Sequence, residues 1–327
     1  MDTIRWGILG TGRIAQKFAE ALVLLPDARL TAVGSRSQSA ADMFGGQWKI
    51  PHRHGSYAGL MNDPEVDAVY IATPHPMHYE NALACLAAGK ATLCEKPFTI
   101  NARQAEKVIA LARNKRIFLM EAMWTRFLPV FGKIRSLLAE GALGDVRQVQ
   151  ADFCFQPEFD PQDRKWNLAL GGGALLDIGV YPISLASMVF GEAPKRVVSA
   201  VSFGSTGVDE QSAEVMEYSA GRLAVIASAL RFVSPVEAHI LGTAGRIRIH
   251  PAWWNTDTIT VVRPEGKEET LTLPNLGNGY AHEAIEVMNC LRSGKLESRV
   301  MPLEETLRIM QTMDAIRADW SLKYPGE

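Results

Sequence analysis

The segment IRWGILGTGRIA, Ile4 to Ala15, limits what this chain can fold into more than any other stretch. Its apolar run has the length of a strand and stops at Gly10-Thr11-Gly12, and a helical pattern begins at about Arg13. Small residues at 10 and 12 permit a tight turn and let backbone amides approach a pyrophosphate, which the positive end of the helix then holds; Ala15 stands where this pattern accepts Gly or Ala. Gly10, Thr11, Gly12, Arg13 and Ile14 are therefore the first candidates for cofactor contact. Taken alone, the pattern also describes a tight packing turn, and its place at a first βα junction is what gives it meaning.

The junction is the first of a series. Apolar runs at Leu30 to Val33, Ala68 to Ala72, Ala91 to Cys94 and Ile117 to Met120 are separated by helical stretches such as Ile14 to Leu25, Tyr79 to Ala88 and Ala102 to Arg113. This βαβ rhythm predicts an α/β, doubly wound parallel sheet of the Rossmann type. Beyond Met120 the rhythm changes. A helical segment, Val130 to Glu140, precedes alternating runs at Val146 to Phe155, Arg196 to Phe203, Ala213 to Tyr218, Leu223 to Leu230, Glu237 to Leu241 and Thr258 to Val262. These predict an α+β second domain built on a large, mostly antiparallel, open sheet, closed by helices at Ala281 to Arg292 and Leu303 to Trp320. A length of 327 residues suits two domains, and the change of rhythm places them at 1–121 and 122–327.

Composition narrows the partners. A formal net charge of -2 gives no broad electrostatic reason to expect nucleic acid or an anionic membrane. No apolar run is read as reaching about 18 residues, and the N-terminus lacks the pattern of a signal peptide, so the cytoplasm is the expected location. Cys85, Cys94, Cys154 and Cys290 lie far apart without a CxxC pair, which predicts reduced, buried thiols. The expected partner is a small molecule.

The second strand says which dinucleotide. An NAD site places an acid near this strand's end, whereas the chain offers Ser35, Arg36 and Ser37. A guanidinium there suits a 2'-phosphate, so NADP is the expected cofactor; the alternative is an exposed loop arginine. The fourth strand ends in TPHPMH, bringing Thr73, Pro74, His75 and His78 to the ligand side of the sheet. No carboxylate or thiolate cluster at ligand spacing accompanies the two histidines, and no metal is expected. The fifth strand ends at Glu95-Lys96-Pro97 on that same side, where Pro97 biases Lys96 toward extended backbone.

Five motifs in order, GTGRIA, TPHPMHYENA, CEKPFT, EAMWTRFLP and GGGALLDIGVYPI, together resemble the Gfo/Idh/MocA oxidoreductase family over essentially the whole chain. The nearest branch is that of the dimeric dihydrodiol dehydrogenases and NADP-linked D-xylose dehydrogenases. The resemblance implies that Lys96 lies beside the nicotinamide and the substrate oxygen. A partly desolvated lysine next to a positive ring should have its pKa lowered; a salt bridge with Glu95 is the alternative. A helix starting after Gly173 would set Asp177 and Tyr181 four residues apart on one face, with Pro182 weakening or bending it one turn back. The resemblance implies proton transfer by Tyr181, where many relatives carry histidine, and orientation of the substrate hydroxyl or of the lysine by Asp177. A capped helix with an outward Asp and a core Tyr is the other reading.

Trp124, Phe153, Trp254 and Tyr280 are candidates for an apolar wall against a sugar ring or an arene diol, although aromatics at such spacing also build cores. Arg126 either approaches the cofactor or pairs at the surface. The expected activity is hydride transfer between NADP and a hydroxyl of a cyclic polyol, aldose or trans-dihydrodiol, or the reverse. Dinucleotide-assisted glycoside cleavage without net redox change, and a non-catalytic dinucleotide-binding regulator, are the alternatives. Arg36 argues against the first, and retention of Lys96, Asp177 and Tyr181 against the second. Too few helices are predicted to cover both faces of the second sheet, so a homodimer through it is expected, as the resemblance also implies.

Overall fold

The computed structural model describes residues 3–327. In chain order the first elements are β1 (Ile4–Leu9), α1 (Arg13–Val23), β2 (Ala28–Gly34), α2 (Gln38–Gln47), β3 (His52–His54), α3 (Tyr57–Met61), β4 (Ala68–Ile71), α4 (His78–Ala87), β5 (Ala91–Glu95), α5 (Ala102–Lys115) and β6 (Leu119–Ala122). All strands pair in parallel, in the order β3-β2-β1-β4-β5-β6. The doubly wound sheet read from the βαβ rhythm is therefore present. Because β1 is flanked by β2 on one side and β4 on the other, the winding reverses there, and the carboxyl ends of β1 and β4 open the crevice in which such sheets bind ligands. Edge strand β3 escaped the sequence reading because His52-Arg53-His54 has no apolar run.

The chain continues through α6 (Pro129–Ala139), β7 (Val146–Cys154), α7 (Val180–Phe190), β8 (Arg196–Phe203), β9 (Asp209–Glu217), β10 (Leu223–Ala229), β11 (Ala238–Gly242), β12 (Gly245–Ile249), β13 (Thr258–Val262), β14 (Glu268–Thr272), α8 (Ala281–Arg292) and α9 (Leu303–Asp319). Two compact units result. One comprises the chain through Phe127 together with Asn275–Leu307, the other Leu128–Pro274 together with Arg308–Glu327. A single division after residue 121 does not describe this arrangement. The apolar stripe of α8, with Ala281, Ala284, Val287 and Met288, belongs to the same core as Trp6, Phe18 and Tyr70. Periodicity shows that a helix has an apolar face but not which core receives it. In that core Phe18 stacks on Tyr70 at 3.8 Å and meets Trp6 edge-on at 5.3 Å.

The second unit holds an eight-stranded sheet ordered β14-β13-β12-β11-β7-β10-β9-β8. It is mostly antiparallel, as expected, but β10 runs parallel to β7. The chain leaves β7, crosses by way of α7, and returns through β8 and β9, so β10 comes back beside β7 in the same direction. Strands β12 and β14 were not foreseen: GRIRI and EETLT are too polar to stand out. The helical stretch Leu168–Phe190 is long and apolar enough to cross a membrane, which the sequence reading overlooked, but almost all of it is buried inside the protein. It serves as a core element, and α7 packs on β7 and β10.

The opposite face of this sheet is open. Register brings Val198, Val215, Val225, Gln150, His239, Arg248, Thr260 and Thr270 into one row across all eight strands. Val198, Val215 and Val225 are 48%, 39% and 38% exposed, so the β8–β10 half of the face is an uncovered apolar strip and the other half is polar.

Candidate functional site

At the carboxyl end of β1, Gly10 has φ +105, and a Cβ there would lie 2.9 Å from the carbonyl oxygen of Ala72. Glycine is required at that point by both backbone and space. Gly12 is different. It caps α1 in extended conformation, and a Cβ added to it would meet no protein atom within 4 Å. Packing therefore does not explain the missing side chain, whereas the close approach of a ligand does. The N-terminus of α1 carries no side-chain cap and no acid in its first turn, which suits a bound anion. These residues fit the pyrophosphate of a dinucleotide.

At the end of β2, Ser35 is buried and its amide donates to the carbonyl of His54 at 3.0 Å. Arg36 is exposed, and Ser37 caps α2 by accepting from the Ala40 amide at 3.3 Å. The chain thus offers an exposed guanidinium beside a second helix N-terminus whose first turn carries no acid, the arrangement a 2'-phosphate asks for.

The ends of β4 and β5 are tied to each other. His78 is fully buried, with Nδ1 2.8 Å from the Pro97 carbonyl and Nε2 2.8 Å from the Thr73 carbonyl. Asn81 donates to the Thr73 hydroxyl at 3.0 Å. His78 was expected to be a cofactor neighbour, and its ring braces the two loops on which Thr73, Pro74, His75 and Lys96 sit. His75 is itself buried, in a short turn after Pro74. Lys96 is half-buried and is joined to Pro97 by a cis peptide bond.

Glu95 faces inward. Its carboxylate accepts from the Tyr70 hydroxyl, and from the Lys96 amide at 3.1 Å. Burial pushes the Glu283 carboxyl well up, and the charge of Glu95 pushes it further; neither Glu283 oxygen has a hydrogen-bond partner among the described residues. Burial likewise raises the Tyr70 phenol, reinforced by Glu95 and Glu283. The residue preceding Lys96 thus belongs to a buried group of two carboxyls and a phenol in which each negative charge opposes the next. Sequence reasoning missed Tyr70 and Glu283. The signal was available for Glu283, a charge directly beside the apolar stripe of its helix.

Trp124 is buried and stacks on Tyr280 with ring centroids 4.4 Å apart. Arg126 is buried in an ion pair with Glu305, so the pairing anticipated at the surface lies in the interior.

In the second unit the glycine run Gly171 to Gly173 leads into the segment carrying Asp177 and Tyr181. Gly173 has φ +119, and a Cβ there would overlap the Asp209 carboxylate. That carboxylate accepts from the Leu175 amide at 2.6 Å and so caps the helix start. Burial pushes the Asp209 carboxyl up to about 7 although the Leu175 and Ala174 amides oppose the shift. Leu175–Gly179 is a π-turn that passes into α7. Pro182 has no N–H to give the carbonyl one turn back, and the helix adjusts its hydrogen-bond spacing there, which is the form the expected weakening takes.

Asp177 is buried and paired with Arg164, Nη1 to Oδ1 at 3.0 Å. The outward Asp of the alternative reading is thereby removed. Tyr181 packs beside Phe153 at 5.4 Å and Trp254 at 6.4 Å, and those two rings are stacked at 5.1 Å, 7° from parallel. Of the four aromatics expected in the wall, Phe153 and Trp254 stand with Tyr181 in the second unit, and Trp124 stands with Tyr280 in the first. Arg164 lies in an irregular segment without periodicity, and nothing in the sequence marked it.

Residues 4–122 match the oxidoreductase family described as having an NAD-binding Rossmann fold, GFO_IDH_MocA, and residues 131–248 match the GFO/IDH/MocA C-terminal domain. Trans-1,2-dihydrobenzene-1,2-diol dehydrogenase of Xenopus tropicalis is 38% identical over 332 residues, 98% of this chain and 99% of the relative. The Homo sapiens enzyme of that name is 36% identical over 336 residues, 99% of each. Among solved structures, the 3-ketoreductase KijD10 of Actinomadura kijaniata, with NADP and TDP-benzene, superposes with TM-score 0.85 at 28% identity, covering 97% of this chain and 98% of that one. The aldose-aldose oxidoreductase of Caulobacter crescentus gives 0.88 at 25% identity, covering 97% of both chains.

Proposed function

The chain belongs to the Gfo/Idh/MocA family and is an NAD(P)-dependent oxidoreductase, and from that premise we propose that it transfers a hydride between NADP and a hydroxyl of a cyclic polyol, an aldose or a trans-dihydrodiol. One arrangement carries the substrate class: the flat Phe153–Trp254 stack stands beside Tyr181, in the unit where Arg164 holds the buried Asp177. An aromatic face suits the apolar side of a ring, and a phenol and a carboxylate suit hydroxyls on its edge. The relatives named for a dihydrodiol support this reading.

Bound NADP supplies the site that accepts or gives the hydride. The protein's part is to hold and move a proton. Tyr181 takes the hydroxyl proton during oxidation, the Lys96 ammonium favours its loss, and Asp177, oriented by Arg164, fixes the hydroxyl. A panel of aldoses, inositols and trans-dihydrodiols, followed at the NADPH absorbance band, tests the reading. Turnover of at least one class is expected; no change with any of them would reject it.

The preference for NADP rests on Arg36. Arg36→Ala removes a charge-assisted contact worth roughly 1.5 to 3 kcal/mol, so the ratio of NADP to NAD affinity should fall by about one to two orders of magnitude. Unchanged relative affinities in a fluorescence titration would exclude this role.

The enzyme is a homodimer through the open face of the second sheet. The exposed strip of Val198, Val215 and Val225 supports this, since an apolar strip of that kind is costly to leave in water. Val215→Glu buries a charge in such an interface and should shift sedimentation of a dimeric parent toward monomer. A parent that sediments as a monomer at micromolar concentration would contradict the assignment. The four cysteines are all buried and unbridged, which supports the expected cytoplasmic location.

A further inference from the structure

Edge strand β3 reads His52-Arg53-His54, and the two-residue period of a strand puts both histidines on one face. Asp63 follows in the turn after α3, with its side chain buried. His52 Nδ1 lies 2.6 Å, and His54 Nε2 2.9 Å, from the same oxygen, Asp63 Oδ2. We propose that His52, His54 and Asp63 form a binding site for one divalent transition ion of the zinc class. It is independent of the hydride-transfer reading above.

Four observations carry the proposal. First, the donor set is two imidazole nitrogens and one carboxylate oxygen, the mixture that zinc and its neighbours favour over calcium or magnesium. Second, the three donor atoms converge within 4.8 Å of one another. Around a tetrahedral ion with bonds of about 2.0 to 2.2 Å, neighbouring ligand atoms stand roughly 3.3 to 3.5 Å apart, so the N···O separation must open by about 0.8 Å at His52 and by about half an ångström at His54. Third, the carboxylate is fixed in place: Oδ1 accepts from the Glu65 amide at 2.9 Å, which leaves Oδ2 as the metal-facing oxygen. Fourth, the rings are reachable, with side-chain exposures of 39% for His52 and 27% for His54, so an ion can enter and a water can complete its coordination.

One group works against tight binding. Lys90 Nζ donates to the backbone carbonyls of Asp63 and Val66 at 2.6 and 2.9 Å, which steadies the loop but brings a positive charge close. The site should therefore bind in the micromolar range. Its occupant would clip the edge of the dinucleotide-binding sheet, because the carbonyl of His54 accepts from the amide of Ser35.

Cobalt(II) added to the chelator-treated full-length protein should bind with one equivalent and give the visible absorption of a low-coordinate, nitrogen-containing site; Zn²⁺ should displace it. His52→Ala and His54→Ala should each weaken binding by at least about 10-fold, since losing a ligand costs no less than losing an outer-sphere partner. Both residues are partly exposed, so the metal-free variants should keep the parent's circular dichroism, with a modest fall in Tm from the lost partner of the buried Asp63 carboxylate. Asp63→Asn should behave likewise, and should it fail to fold, the histidine variants decide. Absence of saturable binding at millimolar cobalt, or binding that survives the double histidine variant, would overturn the proposal.

Discussion

Lys96→Met is expected to lower kcat by about 10²- to 10⁴-fold while leaving NADP affinity close to that of the parent, the range in which general acid-base groups contribute. Methionine keeps much of the length and apolar bulk of lysine and deletes only the ammonium. Tyr181→Phe should cost a similar factor, because phenylalanine preserves the ring that packs on Phe153 and Trp254 and removes only the hydroxyl. If one proton transfer uses both groups, the double variant should be little slower than either single one. Steady-state kinetics on a substrate that the parent turns over, with NADP binding measured separately, gives the answer. A lysine serving only as an ion-pair partner leaves another pattern: Lys96→Met would lower Tm, and kcat would stay within a few-fold of the parent.

The second large effect is expected at Gly12. Gly12→Asp places a carboxylate where the pyrophosphate should lie. Like charges brought together in this way cost several kcal/mol, so NADP affinity should fall by about 10²-fold or more. Folding should be spared, since even a Cβ at this position meets no protein atom within 4 Å. Fluorescence titration with NADPH, paired with a melting curve, separates the two effects. A lowered Tm with affinity retained would make Gly12 a packing residue.

The contrast between Gly10 and Gly12 also shows what a sequence can and cannot disclose. Both glycines were legible as a motif, but only coordinates show that Gly10 is required by the Ala72 carbonyl and Gly12 by nothing in the protein. The parallel sheet was legible because buried strands are continuous apolar runs; β3 and β14 were not, because edge strands carry polar residues, and neither was β12, whose open face carries Arg246 and Arg248 between its apolar residues. Lys96, Asp177 and Tyr181 were singled out from ordered motifs. The residues around them were not: Arg164, which pairs with Asp177, comes from an irregular loop, Asp209, which caps the start of its helix, from a different strand, and Tyr70, which bonds to Glu95, reads as an ordinary strand aromatic. The bracing of two loops by His78 was illegible for a related reason, since a histidine at a strand end looks the same in sequence whatever its ring nitrogens bond to. Long-range pairing of this kind leaves no local period.

The return of Asn275–Leu307 to the first unit bears on how the protein is made. During synthesis the strands and first helices of the dinucleotide-binding sheet precede the second sheet, but the helix that shares a core with Trp6 and Phe18 follows it. Until then that apolar patch has no cover, and every strand of the second sheet is made in the interval. Closing so long a loop adds little to the equilibrium cost, which grows only with the logarithm of its length, but contacts so distant in sequence slow folding and prolong the exposure of aggregation-prone surface. A chain truncated before Asn275 would hold the whole dinucleotide motif and still lack a complete first core.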